Sequence, residues 1–259
     1  MRWEDHKLGK KGERKHLKRE PAPRFWPIHR KESIWTLKPK PGPHSISRCI
    51  PLALIVREVL GYAKTRKEAK SIISQGKIRV DGKVQREERI PIGLMDVVSI
   101  PDAEKIYRIL PSQKGLILHP IVKDEAEFKL CRIENKSVTN GGHVQLNLHD
   151  GRNILIQVEV PEKSEEDLYQ TLETLKVNIP IQEVVGHLKL TEGTLAIIVE
   201  GKNRGRWGKI ITLEQRPGQK RRSSLVTIED KKGKRFQTIL DYIFIVGDTK
   251  PSISLPEAG

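Results

Sequence analysis

The sequence predicts an α+β, multidomain chain in four parts. These are a basic irregular N-terminal arm (1–48), a small α/β module (49–105), a β-rich central domain (106–190), and a small SH3-like β-barrel domain with a C-terminal tail (191–259). Three observations predict this. Residues 1–48 hold 14 Lys and Arg against 5 acids, with almost no apolar periodicity. Between Thr65 and Val84 a well-signalled helix and a tight hairpin carry six cations against two carboxylates. From Tyr107 onward, short runs alternate with period two between Gly-containing turns, the pattern of half-buried strands.

The arm combines HKLGKKGERKHLKR with PAPRFWP and IWTLKPKPGP. Such a composition offers no apolar face to bury, so the arm is expected to be irregular and to order on a polyanion. Its candidate phosphate contacts are Lys10, Lys11, Arg14, Lys15, Lys18 and Arg19. Trp3, Phe25, Trp26 and Trp35 are available to stack on bases or to dock on the body.

In the module, Pro51 suits the first position of a helix, and LALIVREVL is apolar nearly all round, as for a buried helix ended by Gly61. Thr65 and Glu68 then form a capping box, each satisfying a backbone donor that a helix start leaves orphaned. Ala69, Ile72 and Ile73 give one apolar face, and Gly76 supplies the left-handed residue that ends the helix. Lys77-Ile78-Arg79-Val80 alternates, and Asp81-Gly82 is a favoured type I′ hairpin pair returning through Lys83 and Val84. Ile78 and Val80 therefore face a core while Lys77 and Arg79 face out. Together with Lys64, Arg66, Lys67, Lys70 and Lys83 they form a cationic surface shaped for phosphates. Gly93 to Ile100 reads as a further strand, with Pro101-Asp102 as its exit.

The ordered set GYAKTRKEAKSIISQGKIRVDGKV resembles the small RNA-binding domain named after bacterial ribosomal protein S-four, found also in pseudouridine synthases and tyrosyl-tRNA synthetases. KHLKREPAPRFWPI, Gly42-Pro43-His44 and IPLALIVREVLGYA extend the resemblance to the S-four-e family of eukaryotic and archaeal small-subunit ribosomal proteins, whose layout the whole chain follows. The resemblance implies a non-enzymatic cytoplasmic protein of the small ribosomal subunit. Its partners would be small-subunit rRNA and neighbouring ribosomal proteins, with no cofactor, metal, membrane or small-molecule substrate. The lack of a longer basic tail after Pro256 leans toward the archaeal branch.

In the central domain EFKLCRIEN, HVQLNLHDGRNILIQVEV and LKVNIPIQ read as strands, with turns at Asn140-Gly141-Gly142 and Asp150-Gly151, and Ser164 to Thr174 as a short helix capped by Ser164 and Asp167. Residues 107–190 carry 10 Lys and Arg against 12 acids, which favours a spacer or protein-facing role over broad phosphate contact. Glu192 to Glu214 resembles a KOW motif, a strand–loop–strand unit of ribosomal and transcription elongation proteins. LAIIV and KIITL are its strands; Gly201, Gly205 and Gly208 let the loop turn and approach another backbone, while Lys202, Asn203, Arg204 and Arg206 present donors at its tip.

The formal charge of +15 suits a polyanion, and RNA accounts for it better than a membrane because no amphipathic basic helix is present. No apolar run approaches the ~20 residues needed to cross a bilayer, and there is no signal-peptide core. Cys49 and Cys131 lack CxxC spacing, so neither a zinc knuckle nor a disulfide framework is indicated, and a reducing cytosol suits them. HExxH, Walker, dinucleotide and GxSxG patterns are missing. His149-Asp150-Gly151-Arg152 reads as a hairpin turn, and Glu87-Glu88 and Glu165-Glu166 as solvated faces, leaving no catalytic residue. The competing classes are an RNA-modifying enzyme of the pseudouridine-synthase type, which needs a GRLD-like aspartate that the chain lacks, and a KOW-bearing transcription factor.

Overall fold

The computed structural model describes residues 16–139, 141–157, 168–214 and 220–256. The arm from His16 lies on the body. Strand β1 (Leu17–Lys18) pairs antiparallel with β2 (Trp35–Thr36), closing a loop whose carbonyls converge on one guanidinium. Arg30 donates to the carbonyls of Arg19, Glu20, Ala22 and Pro23 at 2.8–3.1 Å. Ala22, Trp26 and Leu37 are buried in the first core, and the Trp26 indole N–H donates to the Cys49 carbonyl at 2.7 Å. Over residues 16–48 this corrects the expectation that the arm cannot bury itself. Its burial runs through isolated anchors in irregular chain, which leave no periodic signal.

β3 (Ile50–Pro51) leads into α1 (Leu52–Leu54), which continues as a π-helical turn through Val59. Pro51 thus precedes the helix in extended conformation instead of opening it. Leu52 to Val56 are all buried, as their composition demands, and lie in one core with Ala69 and Ile73 of α2 (Arg66–Ser74). Both hydrogen bonds of the Thr65–Glu68 capping box form. β4 (Ile78–Val80) and β5 (Lys83–Gln85) join through Asp81 and Gly82, both at positive φ (48° and 74°), the backbone that a type I′ turn requires. β6 (Pro91–Ile92) pairs with β3. The strand expected from Gly93 begins only at Val97, as β7 (Val97–Ile100). Before it the Asp96 carboxylate accepts the Gly93 N–H at 2.8 Å and Met95 sits at φ 65°, which makes a turn.

The sheet carries on beyond Lys105. β8 (Lys105–Ser112) and β9 (Gly115–Pro120) add to it in the order β5-β4-β7-β8-β9, all antiparallel. After the short α3 (Lys123–Ala126), a second five-stranded sheet is built from β10 (Phe128–Val138), β11 (Val144–Leu148), β12 (Asn153–Ile156), β13 (Thr174–Asn178) and β14 (Val184–Leu188), ordered β12-β11-β10-β13-β14. The capping pair Ser164 and Asp167 lies outside the described residues. Residues 168–173 form turns and Thr174 opens β13, so the expected helix does not reach Thr174.

The third sheet takes β15 (Leu195–Ile198), β16 (Trp207–Glu214), β17 (Leu225–Glu229), β18 (Arg235–Ile239) and β19 (Ile243–Gly247) in the order β18-β17-β16-β15-β19. One core is shared by all three sheets: Leu110 from the first, with Met95 of the turn before β7, Leu130 from the second, and Ile197, Trp207 and Phe244 from the third. Among the described residues no helix is long and apolar enough to cross a membrane.

Candidate nucleic-acid interface

The cationic surface is set by how α2 and the β4–β5 hairpin bury their other faces. Ala69, Ile73, Ile78 and Val80 are each at most 7% exposed, and this pins both elements to the core. Lys64, Arg66, Lys67, Lys70, Lys77, Arg79 and Lys83 are left exposed, as the alternation and the helical spacing require. Lys67, Lys70, Arg79 and Lys83 meet no carboxylate among the described residues, so their charge faces outward unneutralised. Arg66 forks onto Glu88 at 2.6 and 3.3 Å, and the hydrogen bond raises its pKa. Glu88 is buried by this pairing, which corrects its reading as part of a solvated face. Glu165 and Glu166 lie outside the described residues. Lys77 stands 3.5 Å from Asp102, with both side chains largely in solvent.

The loop between β15 and β16 is docked. A Cβ on Gly205 would stand 2.7 Å from Cα of Ser112, at the end of β8, so only glycine permits the approach. Lys202 is exposed at the tip and Asn203 is half-buried. Arg204 lies half-buried against the Phe25 ring at 5.5 Å, and desolvation lowers its pKa. Arg206 stacks over Phe236 at 4.3 Å. Of the loop's three cations, Lys202 is therefore the one projecting freely, while Arg204 and Arg206 also hold the loop to aromatic surface.

In the arm Lys18 is exposed, whereas Arg19 donates to the carbonyls of His29 (2.5 Å) and Trp35 (3.2 Å) and fastens the loop. Lys10, Lys11, Arg14 and Lys15, together with Trp3, lie outside the described residues. Trp26 and Trp207 are buried, while Trp35 stays 54% exposed.

Beneath the hairpin lies an ionic cluster that sequence reading missed. Lys129 of β10 places its Nζ 2.5 Å from Asp96 Oδ1, 2.9 Å from Asp81 Oδ2 and 3.0 Å from Asp150 Oδ2. Arg152 bridges Asp81 (2.5 Å) and Asp150 (3.1 Å), and the His44 imidazole Nε2 stands 3.0 Å from Asp96. Burial opposes ionisation of Asp96 and Asp150. The facing Lys129 charge overrides it, holding Asp96 well below the usual carboxylate range and Asp150 at about 2. The turn at His149–Arg152 is thus a turn, as expected, and also a tie between the central sheet and the hairpin. Cys131, His149 and Asp150 bring ligand-type atoms within 4.8 Å of one another, but they do not suit a metal. Burial pushes the Cys131 thiol up, away from thiolate. His149 accepts the Arg132 N–H at Nδ1 (3.1 Å) and faces the Leu94 carbonyl through Nε2 (3.2 Å), and Asp150 is already held by two cations.

Three family models match the chain: the RS4NT domain over residues 11–47, the S4 domain over 51–98 and the ribosomal family S4e over 103–184. Small ribosomal subunit protein eS4 of Staphylothermus marinus is 52% identical, with 96% of this chain and 99% of that one covered. The chain belongs to the eS4 family. The eS4 protein of Methanocaldococcus jannaschii is 49% identical over 96% of this chain and all of its own length. A crystal structure of 30S ribosomal protein S4e from Thermoplasma acidophilum superposes with a TM-score of 0.63 at 28% identity, covering 78% of this chain and 96% of that one. The S4-domain match takes in α1, α2 and the whole β4–β5 hairpin, so the eS4 relationship includes the elements that carry the cationic face.

Proposed function

We propose that this eS4-family chain is a non-catalytic constituent of the cytoplasmic small ribosomal subunit that supports translation by bracing folded rRNA. The observation that carries the reading is the row of outward cations, Lys67, Lys70, Arg79 and Lys83, which meet no carboxylate among the described residues, on a helix and hairpin whose opposite faces are pinned in a core. Neutralising phosphates there releases counterions, and the rigid spacing selects shape over sequence. Lys64, Arg66 and Lys77 flank this row, Lys202 adds a contact from the KOW-like β15–β16 unit, and the arm's Lys10, Lys11, Arg14, Lys15 and Lys18 add further charge for phosphates. The C-terminal sheet serves as an SH3-like barrel, and the slightly acidic central domain faces neighbouring ribosomal proteins. An RNA-modifying activity is disfavoured because the buried carboxylates Asp81, Asp96 and Asp150 are all neutralised by Lys129 and Arg152 away from solvent. Sedimentation tests the reading. Stoichiometric presence in salt-washed small subunits supports it, whereas turnover on naked rRNA with no retention in subunits overturns it.

A further inference from the structure

Beside the cationic face lies a cleft of about 550 Å³ lined by His16, Leu17, Trp35, Thr36, Leu37 and Arg66, among others. We propose that this cleft is a subsite for one unpaired nucleotide, whose base stacks on Trp35 while its phosphate is held at Arg66. The proposal rests on the rRNA-binding reading above and deepens it.

Three features carry it. Trp35 leaves over half its surface in water beside charged chain, whereas the other described tryptophans are buried. A large indole face left in water fits a partner that supplies a second π-face. The His16 ring, tilted at 53° with its centroid 5.5 Å from that of Trp35, offers a second aromatic wall. The platform is rigid before anything binds: Lys18 pairs with Trp35 across the β1–β2 ladder, and Arg19 and Ser33 both donate to the Trp35 carbonyl. A preformed surface lowers the ordering cost of binding.

Arg66 fixes the chemical class. It stands in the first turn of α2, so it belongs both to the cleft and to the phosphate-facing row. Glu88 orients its guanidinium while the side chain stays 60% exposed. A strand crossing the α2 surface would thus reach the cleft by way of Arg66. A paired base inside a duplex offers no free face to Trp35, so the ligand is single-stranded RNA or an unpaired bulge, with little sequence preference.

The test uses the full-length protein carrying Trp3→Phe, in which Trp35 dominates exposed indole emission. It is titrated with octauridylate, with octaadenylate and with a blunt RNA duplex of equal length. Saturable quenching by the single strands but not by the duplex is expected. Trp35→Ala should weaken single-strand binding by about 5- to 150-fold. Trp35→Phe should fall between, and both should keep the melting temperature and the salt slope. Equal quenching by duplex, or unchanged single-strand affinity in Trp35→Ala, overturns the subsite. If Trp35 is silent while an rRNA fragment still binds with its full salt dependence, the subsite alone fails. If no salt-dependent rRNA binding is seen at all, the broader reading fails with it.

Discussion

Lys129 Nζ and Asp96 Oδ1 lie 2.5 Å apart with neither side chain more than 3% exposed, one on a strand of the central sheet and the other in the turn before β7. Two charges are removed from water at the junction of two sheets, and Asp81 and Asp150 complete the shell around the ammonium. The S4-like hairpin is therefore tied to the central sheet by ionic contacts. Such contacts are costly to break, because removing one partner leaves uncompensated buried charge.

Lys129→Met tests this directly. It keeps the side-chain length and removes the charge, leaving three carboxylates that face only the Arg152 guanidinium, the His44 ring and the backbone N–H groups of Gly93, Val97 and Arg152 among the described residues. Urea unfolding at neutral pH should show a loss of about 3–5 kcal/mol. A loss below 1 kcal/mol would mean that the cluster is dispensable to the fold.

His149 gives the protein an acid-sensitive joint. Burial lowers its pKa to about 4 from the ordinary value of 6.5, and the Asp150 charge only partly offsets this. Protonating Nδ1 would aim a proton at the Arg132 N–H that now donates to it. The folded state therefore binds fewer protons than the unfolded chain. Its contribution is intact above pH 6.5 and is lost progressively as pH falls toward 4. The loss is on the order of 3 kcal/mol. His149→Gln should start less stable at pH 7, having lost ring contact with Phe244, but its stability should be flatter between pH 6.5 and 4. Equal slopes in the two proteins would remove His149 from the explanation.

Changing Lys67, Lys70, Arg79 and Lys83 together to Gln should weaken rRNA binding and reduce the log–log salt slope by up to about 3.6, treating the RNA as B-DNA. The melting temperature should hardly move, since no core atom and no ion pair among the described residues is removed. Arg66 is left out because its removal would strand the buried Glu88 carboxylate and mix a stability loss into the binding result. An unchanged slope in the full-length variant would show that phosphates lie elsewhere.

Within the β15–β16 loop the cations should separate by effect. Lys202→Gln should lower incorporation into subunits in competition with wild type and leave stability unchanged. Arg204→Gln should cost about 0.5–1 kcal/mol through loss of its contact with Phe25. Identical behaviour of the two variants in thermal melts would contradict the docked geometry.

Trp26→Ala should destabilise the protein by about 3–5 kcal/mol and open Arg24 and Lys31 to trypsin, because the indole anchors the loop through the core and through Cys49. Cleavage at these sites in the unaltered free protein, as fast as in the variant, would mean that the arm is not held as described.

What could be read from the sequence was local. Thr65 with Glu68, and Asp81 with Gly82, act over one to three residues, so their chemistry fixes a helix start and a turn without help from distant chain. The outward row at Lys67, Lys70, Arg79 and Lys83 followed from periodicity alone. Lys129 gave no such signal: in sequence it is one more lysine on a strand, and its carboxylates stand 21 to 48 positions away. Glu88 was misread for the same reason, since its partner is 22 residues back. Trp26 and Arg30 order a segment whose composition resembles disorder, because they act as single anchors and not as a repeating face.

The separation between Asp81 and Lys129 also carries a consequence for how the protein is made. Asp81 and Asp96 are synthesised 48 and 33 residues before Lys129. At about 5–20 residues per second, the growing chain holds these two carboxylates without their cation for roughly 2–10 seconds. During that interval the hairpin can form its turn, since that geometry is local, but the Asp96 corner must keep its water. Locking of the cationic surface onto the rest of the molecule is therefore timed by the arrival of β10. A nascent chain released before that strand would carry the same RNA-facing residues on a differently hydrated and looser base.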